Sequence, residues 1–217
     1  QTIRELVVDY FIGIGNGYML CDQSLFLTLD YFDRYMLKGT NIYDKKKNNN
    51  DNDDEPITDF EEELIQLISL TALFIAGKYE EKKPLQLQEL LSSTEADFTI
   101  ANVLDLECGL LNLFSFRLAA PTPIDYLAIT SYYLSLSHDI ISLSLRLSSM
   151  FIYDMKYIQF KPSCISIASL TLALILLKKD VEQFYHILNY QWIPLNEITN
   201  CWDAILKCVE RISYIRI

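Results

Sequence analysis

The stretch LISLTALFIAGKYEE, Leu67 to Glu81, leaves this chain few ways to fold. Leu67, Leu70, Leu73, Phe74, Ile75 and Ala76 recur at helical spacing, and Ile68 and Ala72 fill in beside them. Almost no polar face remains before Lys78, so such a helix must be surrounded by other helices. Ser69, Thr71, Ala72, Ala76 and Gly77 are small enough to let neighbouring backbones come close. The apolar run then breaks into Lys78-Tyr79-Glu80-Glu81-Lys82-Lys83-Pro84. Proline stops the helix there, because it lacks an N–H and restricts the residue ahead of it. A buried helix therefore surfaces at a lysine. A lysine in that position suits the negative end of the helix dipole, and composition alone asks nothing more of it.

The 217 residues are 51% hydrophobic, enough for a sizeable core in one large or two small domains. Mean hydropathy is +0.14. The longest apolar run, Cys164 to Leu177, is interrupted by Ser166, Ser169 and Thr171. It falls short of the roughly 20 residues that a spanning helix needs, so we expect a buried helix and no membrane. The net charge of −11 disfavours nucleic acid, whose phosphates call for Lys and Arg. Much of that charge is local. Nine acids against Lys45, Lys46 and Lys47 between Asp44 and Glu63 give that segment −6. Cys21, Cys108, Cys164, Cys201 and Cys208 form an odd count without Cys-x-x-Cys spacing. They point to core packing in a reducing, intracellular compartment, nuclear or cytoplasmic. No signal-peptide pattern opens the chain. Because the first helix pattern begins almost at Gln1, we expect regulatory sequence upstream of it.

Taken in order, the first helix is expected over Ile3–Ile14, with Gly13, Gly15 and Gly17 as its stop and turn. Their spacing matches neither GxGxxG nor a P-loop. Asp22 caps a second helix to Leu37, with Leu25, Leu29, Phe32 and Met36 facing inward. Asp33 and Arg34 read as a solvated pair. Residues 38–56 are Asn/Asp-rich and low in complexity, and they read as a flexible insertion lengthening a helix–helix connection. After the central helix come a short helix near Leu85–Ser92 and a longer one opened by Thr99. In that longer helix Glu107 stands among apolar neighbours. At Ala119-Ala120-Pro121-Thr122-Pro123 a second set begins, with helices near Ile124–Leu136, Ile140–Met155, Pro162–Lys178, Val181–Leu188 and Leu195–Ser213. Its own apolar helix, ISIASLTLALILLKK, brings Lys178 to the position that Lys78 holds in the first half, a faint internal repeat. No strand-like alternation competes, so the fold class is all-α, in two lobes with a boundary at 120/121.

The chain resembles the cyclin family over nearly its whole length, most strongly from Ile3 to Pro123. IRELVVDYF is similar to the family's Met-Arg-x-Ile-Leu-x-Asp-Trp opening. SLFLTLDYFDRYM resembles its second helix, LTALFIAGKYEE its third, and VLDLECGLLNLFSFRLAAPTP its fifth. The LAAPTP junction is closer to A- and B-type mitotic cyclins than to G1 types. The resemblance implies two tandem five-helix cyclin folds and a regulatory subunit rather than an enzyme, with no cofactor, no metal and no catalytic residue. The implied partner is a cyclin-dependent protein kinase. Lys78 and Glu107 would make the central polar contact with it, and Ile75, Tyr79, Leu111, Phe116 and Leu118 would supply the apolar surface around them.

A second implied site, for substrates or inhibitors bearing Arg-x-Leu, falls on Ile3, Leu6, Val7, Tyr10 and Gln66. Those first-helix residues are equally readable as core. Gly13 stands where the family has an acidic residue for the motif's arginine, and Tyr10 where it has tryptophan, so a weaker or differently selective patch is expected. The competing function is a cyclin-fold scaffold or transcription-associated protein acting without a cell-cycle kinase; the −11 charge disfavours a version that touches DNA. The two histidines, His138 and His186, lie near no nucleophile and in no metal-ligand spacing. Lys45-Lys46-Lys47 sits among acids and makes a poor import signal.

Overall fold

A computed structural model describes residues 3–47, 59–83, 85–94, 97–179 and 194–215, all helix and connection with no strand among them. Two compact units emerge: Leu6–Ala120, and Pro121–Ile217 together with the first turn of the first helix.

In the first unit, α1 (Ile3–Gly17), α2 (Asp22–Lys47), α4 (Leu87–Ser92) and α5 (Ile100–Leu113) surround α3 (Asp59–Glu80). From Ile68 to Ala76, α3 is buried throughout. One side of it, Leu70, Leu73 and Phe74, packs with Ile14, Leu90 and Val103. The other, Ala72, Ile75 and Ala76, packs with Leu27, Tyr31, Leu110 and Phe114. Each fully buried aliphatic or aromatic side chain contributes roughly 1.5–3 kcal/mol. The buried hydroxyls turn back on their own helix: Ser69 donates to the Ile65 carbonyl and Thr71 to that of Leu67, both at 2.7 Å.

Two boundaries differ from the sequence reading. The first helix does not stop at Ile14 but runs through Gly15 to Gly17. Gly15 is there because α2 comes close. A β-carbon on it would stand 2.7 Å from Leu25 Cδ2, so the glycine serves packing rather than termination. The second helix continues ten residues past Leu37, to Lys47, taking in the start of the segment read as a flexible insertion. Residues 48–58 lie outside the described residues. At the front of α5, Thr99 caps as expected. Its Oγ1 accepts from Asn102 N–H at 3.2 Å while the Asn102 side chain accepts from Thr99 N–H at 2.9 Å.

Glu81, just past α3, reaches the start of α2 and accepts from Cys21 N–H at 2.7 Å and Ser24 Oγ at 2.6 Å. Burial acts to raise its carboxyl, but the hydrogen bonds from Ser24 and Cys21 outweigh that and hold it below the ordinary glutamate value. A depressed folded value means that the stabilisation is complete above the unfolded value and is lost as pH falls through the folded one. Glu81→Gln is expected to destabilise the unit by about 1–2 kcal/mol at neutral pH. The difference in urea midpoint between wild type and variant should hold down to about pH 5 and close below about pH 4.

The second unit repeats the plan. Here α8 (Pro162–Leu176) is the central helix, packed against α6 (Pro123–Tyr133), α7 (His138–Phe151) and α9 (Leu195–Ile215), with a 3-10 turn at Met155–Gln159. Every residue from Cys164 to Leu174 is buried, and Ser148 and Ser169 meet inside at 3.0 Å. Cys164, Cys201 and Cys208 belong to this core, while Cys21 and Cys108 are exposed. Thr122 and Asp125 form a second capping box at α6. Lys178 departs from the expected repeat. It lies beyond the end of α8 with φ at 52°, not within the last helical turn as Lys78 does. The expected helix at Val181–Leu188 lies outside the described residues. Among the described residues no helix is long and apolar enough to cross a membrane.

Candidate functional site

Lys78 occupies the last turn of α3, and Glu107 lies midway along α5, the helix packed beside it. The two side chains meet in an ion pair from Nζ to Oε1. Its halves are unequally buried: Glu107's side chain is 9% exposed and Lys78's 41%. A carboxylate so withdrawn from water needs a partner, and Lys78 is it. The ammonium also stands 4.3 Å from the centre of the Phe74 ring, a cation–π contact that fixes its direction. Lys78 is thus anchored beneath and open above.

The apolar residues assigned around this pair separate into two roles. Tyr79 (48% exposed) and Phe116 (68%) face solvent, and Leu111 and Leu118 are half-buried. Ile75 does not reach the surface. At 2% exposure it is packed with Tyr31 and Phe114 beneath the face, in keeping with the dense apolar pattern of its helix and against the surface role that the resemblance implied. The second assigned site divides likewise. Leu6 (55%) and Gln66 are exposed, Tyr10 is half-buried, and Val7 is a core residue; Ile3's side chain lies outside the described residues. Burial pushes the Tyr10 phenol up to about 12.

Sequence reading missed the residues that support the Phe116 turn. Asp33 and Arg34 are not a solvated pair, because Asp33 is buried and Arg34 pairs instead with Asp30 at 3.2 Å. The i, i+4 spacing of Asp30 and Arg34 was the available signal. From there the Arg34 guanidinium lies 4.2 Å over the Phe114 ring and donates to the Arg117 carbonyl at 3.1 Å. Burial raises the Asp30 carboxyl against the opposing pull of Arg34. Among the described residues no group of three or more His, Cys, Asp or Glu could hold a metal ion; His138 is exposed, and His186 lies outside them.

The chain as a whole has known counterparts. The family described as cyclin, N-terminal domain, matches residues 1–119, and that described as cyclin, C-terminal domain, matches residues 121–214. The chain belongs to the cyclin family. Its relatives include A- and B-type cyclins. A G2/mitotic-specific cyclin-B1 of Oryzias latipes is 27% identical over 80% of this chain and 38% of its own length. A G2/mitotic-specific cyclin-B of Dictyostelium discoideum is 25% identical over 100% and 44% respectively. A G2/mitotic-specific cyclin-A of Drosophila melanogaster is 26% identical over 96% and 37%. The cyclin described here thus spans less than half the length of each of these relatives. In fold it is similar to a viral cyclin from herpesvirus saimiri, with a TM-score of 0.74 at 15% identity, covering 95% of this chain and 84% of that one.

Proposed function

We propose that this cyclin is a non-catalytic subunit that binds and activates a cyclin-dependent protein kinase through the face around Lys78 and Glu107. The observation that carries the reading is the layered ion pair. A buried carboxylate is neutralised by a lysine whose outer side is open, and exposed Tyr79 and Phe116 flank it along with half-buried Leu111 and Leu118. Such a face suits a partner helix that offers apolar side chains and a polar group for Lys78. Kinase activity depends on where the αC helix holds its glutamate against the β3 lysine. A surface that binds αC only in its inward position contributes free energy to the active state alone and shifts the population toward it.

All three relatives named above carry G2 and mitosis in their names, and we carry that setting, and with it a nuclear or cytoplasmic location, to this chain as part of the proposal. Capture of Arg-x-Leu segments is proposed on the narrower ground of exposed Leu6 and Gln66, with Tyr10 beside them on α1.

The test is capture and activation of cyclin-dependent kinases by wild type and by the Lys78→Glu/Glu107→Lys double reversal. The reversal keeps an ion pair within the chain but inverts its polarity toward the partner. Binding by wild type that the reversal loses supports the proposal. Equal binding by both would move the interface elsewhere. No binding by wild type would leave a scaffold that acts without a kinase.

A further inference from the structure

We propose that Tyr31, Arg34 and Lys38 of α2 are positioning residues that hold the turn after α5 so that Phe116 projects ready-made toward the partner. The proposal rests on the kinase-binding reading above and names the part of the cyclin that sets the geometry of that site. It starts from a backbone outlier. Helix α5 ends at Leu113, Phe114 caps it, and Ser115 and Phe116 follow in the left-handed region at φ 51° and 58°. One left-handed residue after a helix is ordinary, though glycine usually takes the place. A second, bulky and aromatic, is disfavoured by its own β-carbon and persists only where its surroundings over-determine it.

Within the turn, Phe116 N–H closes onto the Leu111 carbonyl at 2.9 Å and Ser115 N–H onto that of Asn112 at 2.9 Å. Three side chains spaced along one face of α2 then take carbonyls on both flanks of Phe116. Lys38 Nζ donates to Leu113 at 3.2 Å, Arg34 Nη2 to Arg117 at 3.1 Å, and Tyr31 OH to Leu118 at 3.0 Å. Asp30 orients the guanidinium from below and the Phe114 ring supports its flat face. Burial holds the Tyr31 phenol well above its ordinary value, so it remains a donor. Carbonyls at a helix end have no partner within the helix, and α2 supplies one for Leu113 as well as for Arg117 and Leu118 beyond the turn. The turn is fixed while the Phe116 ring stays 68% exposed. An aromatic side chain held outward before its partner arrives loses little freedom on binding, the economy of a preorganised anchor.

A double-mutant cycle of Arg34→Gln and Phe116→Ala tests this, with affinity measured against a kinase that wild type captures. Arg34→Gln alone is expected to weaken binding roughly tenfold, and Phe116→Ala by at least as much. If Arg34 acts through Phe116, Arg34→Gln adds nothing in the Phe116→Ala background. Fully additive losses would overturn the proposal. Tyr31→Phe keeps the packing and removes one hydrogen bond, so it serves the same cycle if Arg34→Gln does not fold. Amide exchange in the free chain gives a readout independent of binding. Protection at residues 115–118 is expected to fall in either α2 variant, while α8 is unchanged. Unaltered protection at 115–118 would overturn the clamp even if wild type captured no kinase, a result that by itself would sink only the functional reading.

Discussion

Lys78→Glu is expected to cut kinase affinity roughly 30-fold or more, the size of effect seen when one partner of a buried charge pair is removed. Two changes act together. Glu107, whose side chain is 9% exposed, loses its counterion and gains a like charge beside it. The outward ammonium becomes a carboxylate, so any acidic group the partner brings is repelled. Chemical unfolding of the variant, run in parallel, separates the interface from the fold. A loss of stability is expected as well, because Glu107 is left buried without its counterion, so affinity is compared under conditions where the variant is shown to be folded. An affinity within threefold of wild type would remove this pair from the interface.

The second large effect falls on stability. Ile75→Ala is expected to destabilise the chain by about 2–5 kcal/mol, since the site is closed on all sides and a cavity remains where the side chain was. Tyr79→Ala, four residues on, should cost under 1 kcal/mol of stability yet weaken kinase capture severalfold. Urea unfolding and affinity measured on both variants give opposite signatures for neighbours in one helix. If Ile75→Ala unfolds like wild type, the burial described for it is wrong. If Tyr79→Ala binds like wild type, the exposed ring is not part of the contact.

That contrast also shows what the sequence made legible. The pattern Leu67 to Ala76 announces a surrounded helix by periodicity alone, and the fold follows from it. Lys78 and Glu107 were legible as a pair only through the resemblance, because nothing in their spacing says that 29 residues apart means side by side. The difference between Ile75 and Tyr79 was not legible. Both lie at the end of an apolar run, and only the packing of Tyr31 and Phe114 decides which of them is enclosed. Gly13 and Gly15 misled for a related reason, while Gly17 does end the helix. A glycine read along the chain signals a break, whereas Gly15 answers to Leu25 on another helix. Asp30 and Arg34 carried a signal in their i, i+4 spacing that the reading passed over, whereas the turn at Ser115–Phe116 had none, because left-handed backbone at serine and phenylalanine has no compositional mark.

The Glu81 bridge joins helix ends that are far apart in sequence. It ties the exposed end of α3 to the first turn of α2, and Lys78 ties the same end to α5. The end of α3 is therefore held from two directions at once, by α2 through Glu81 and by α5 through Lys78. A partner docking on that end would meet helix termini already joined to one another.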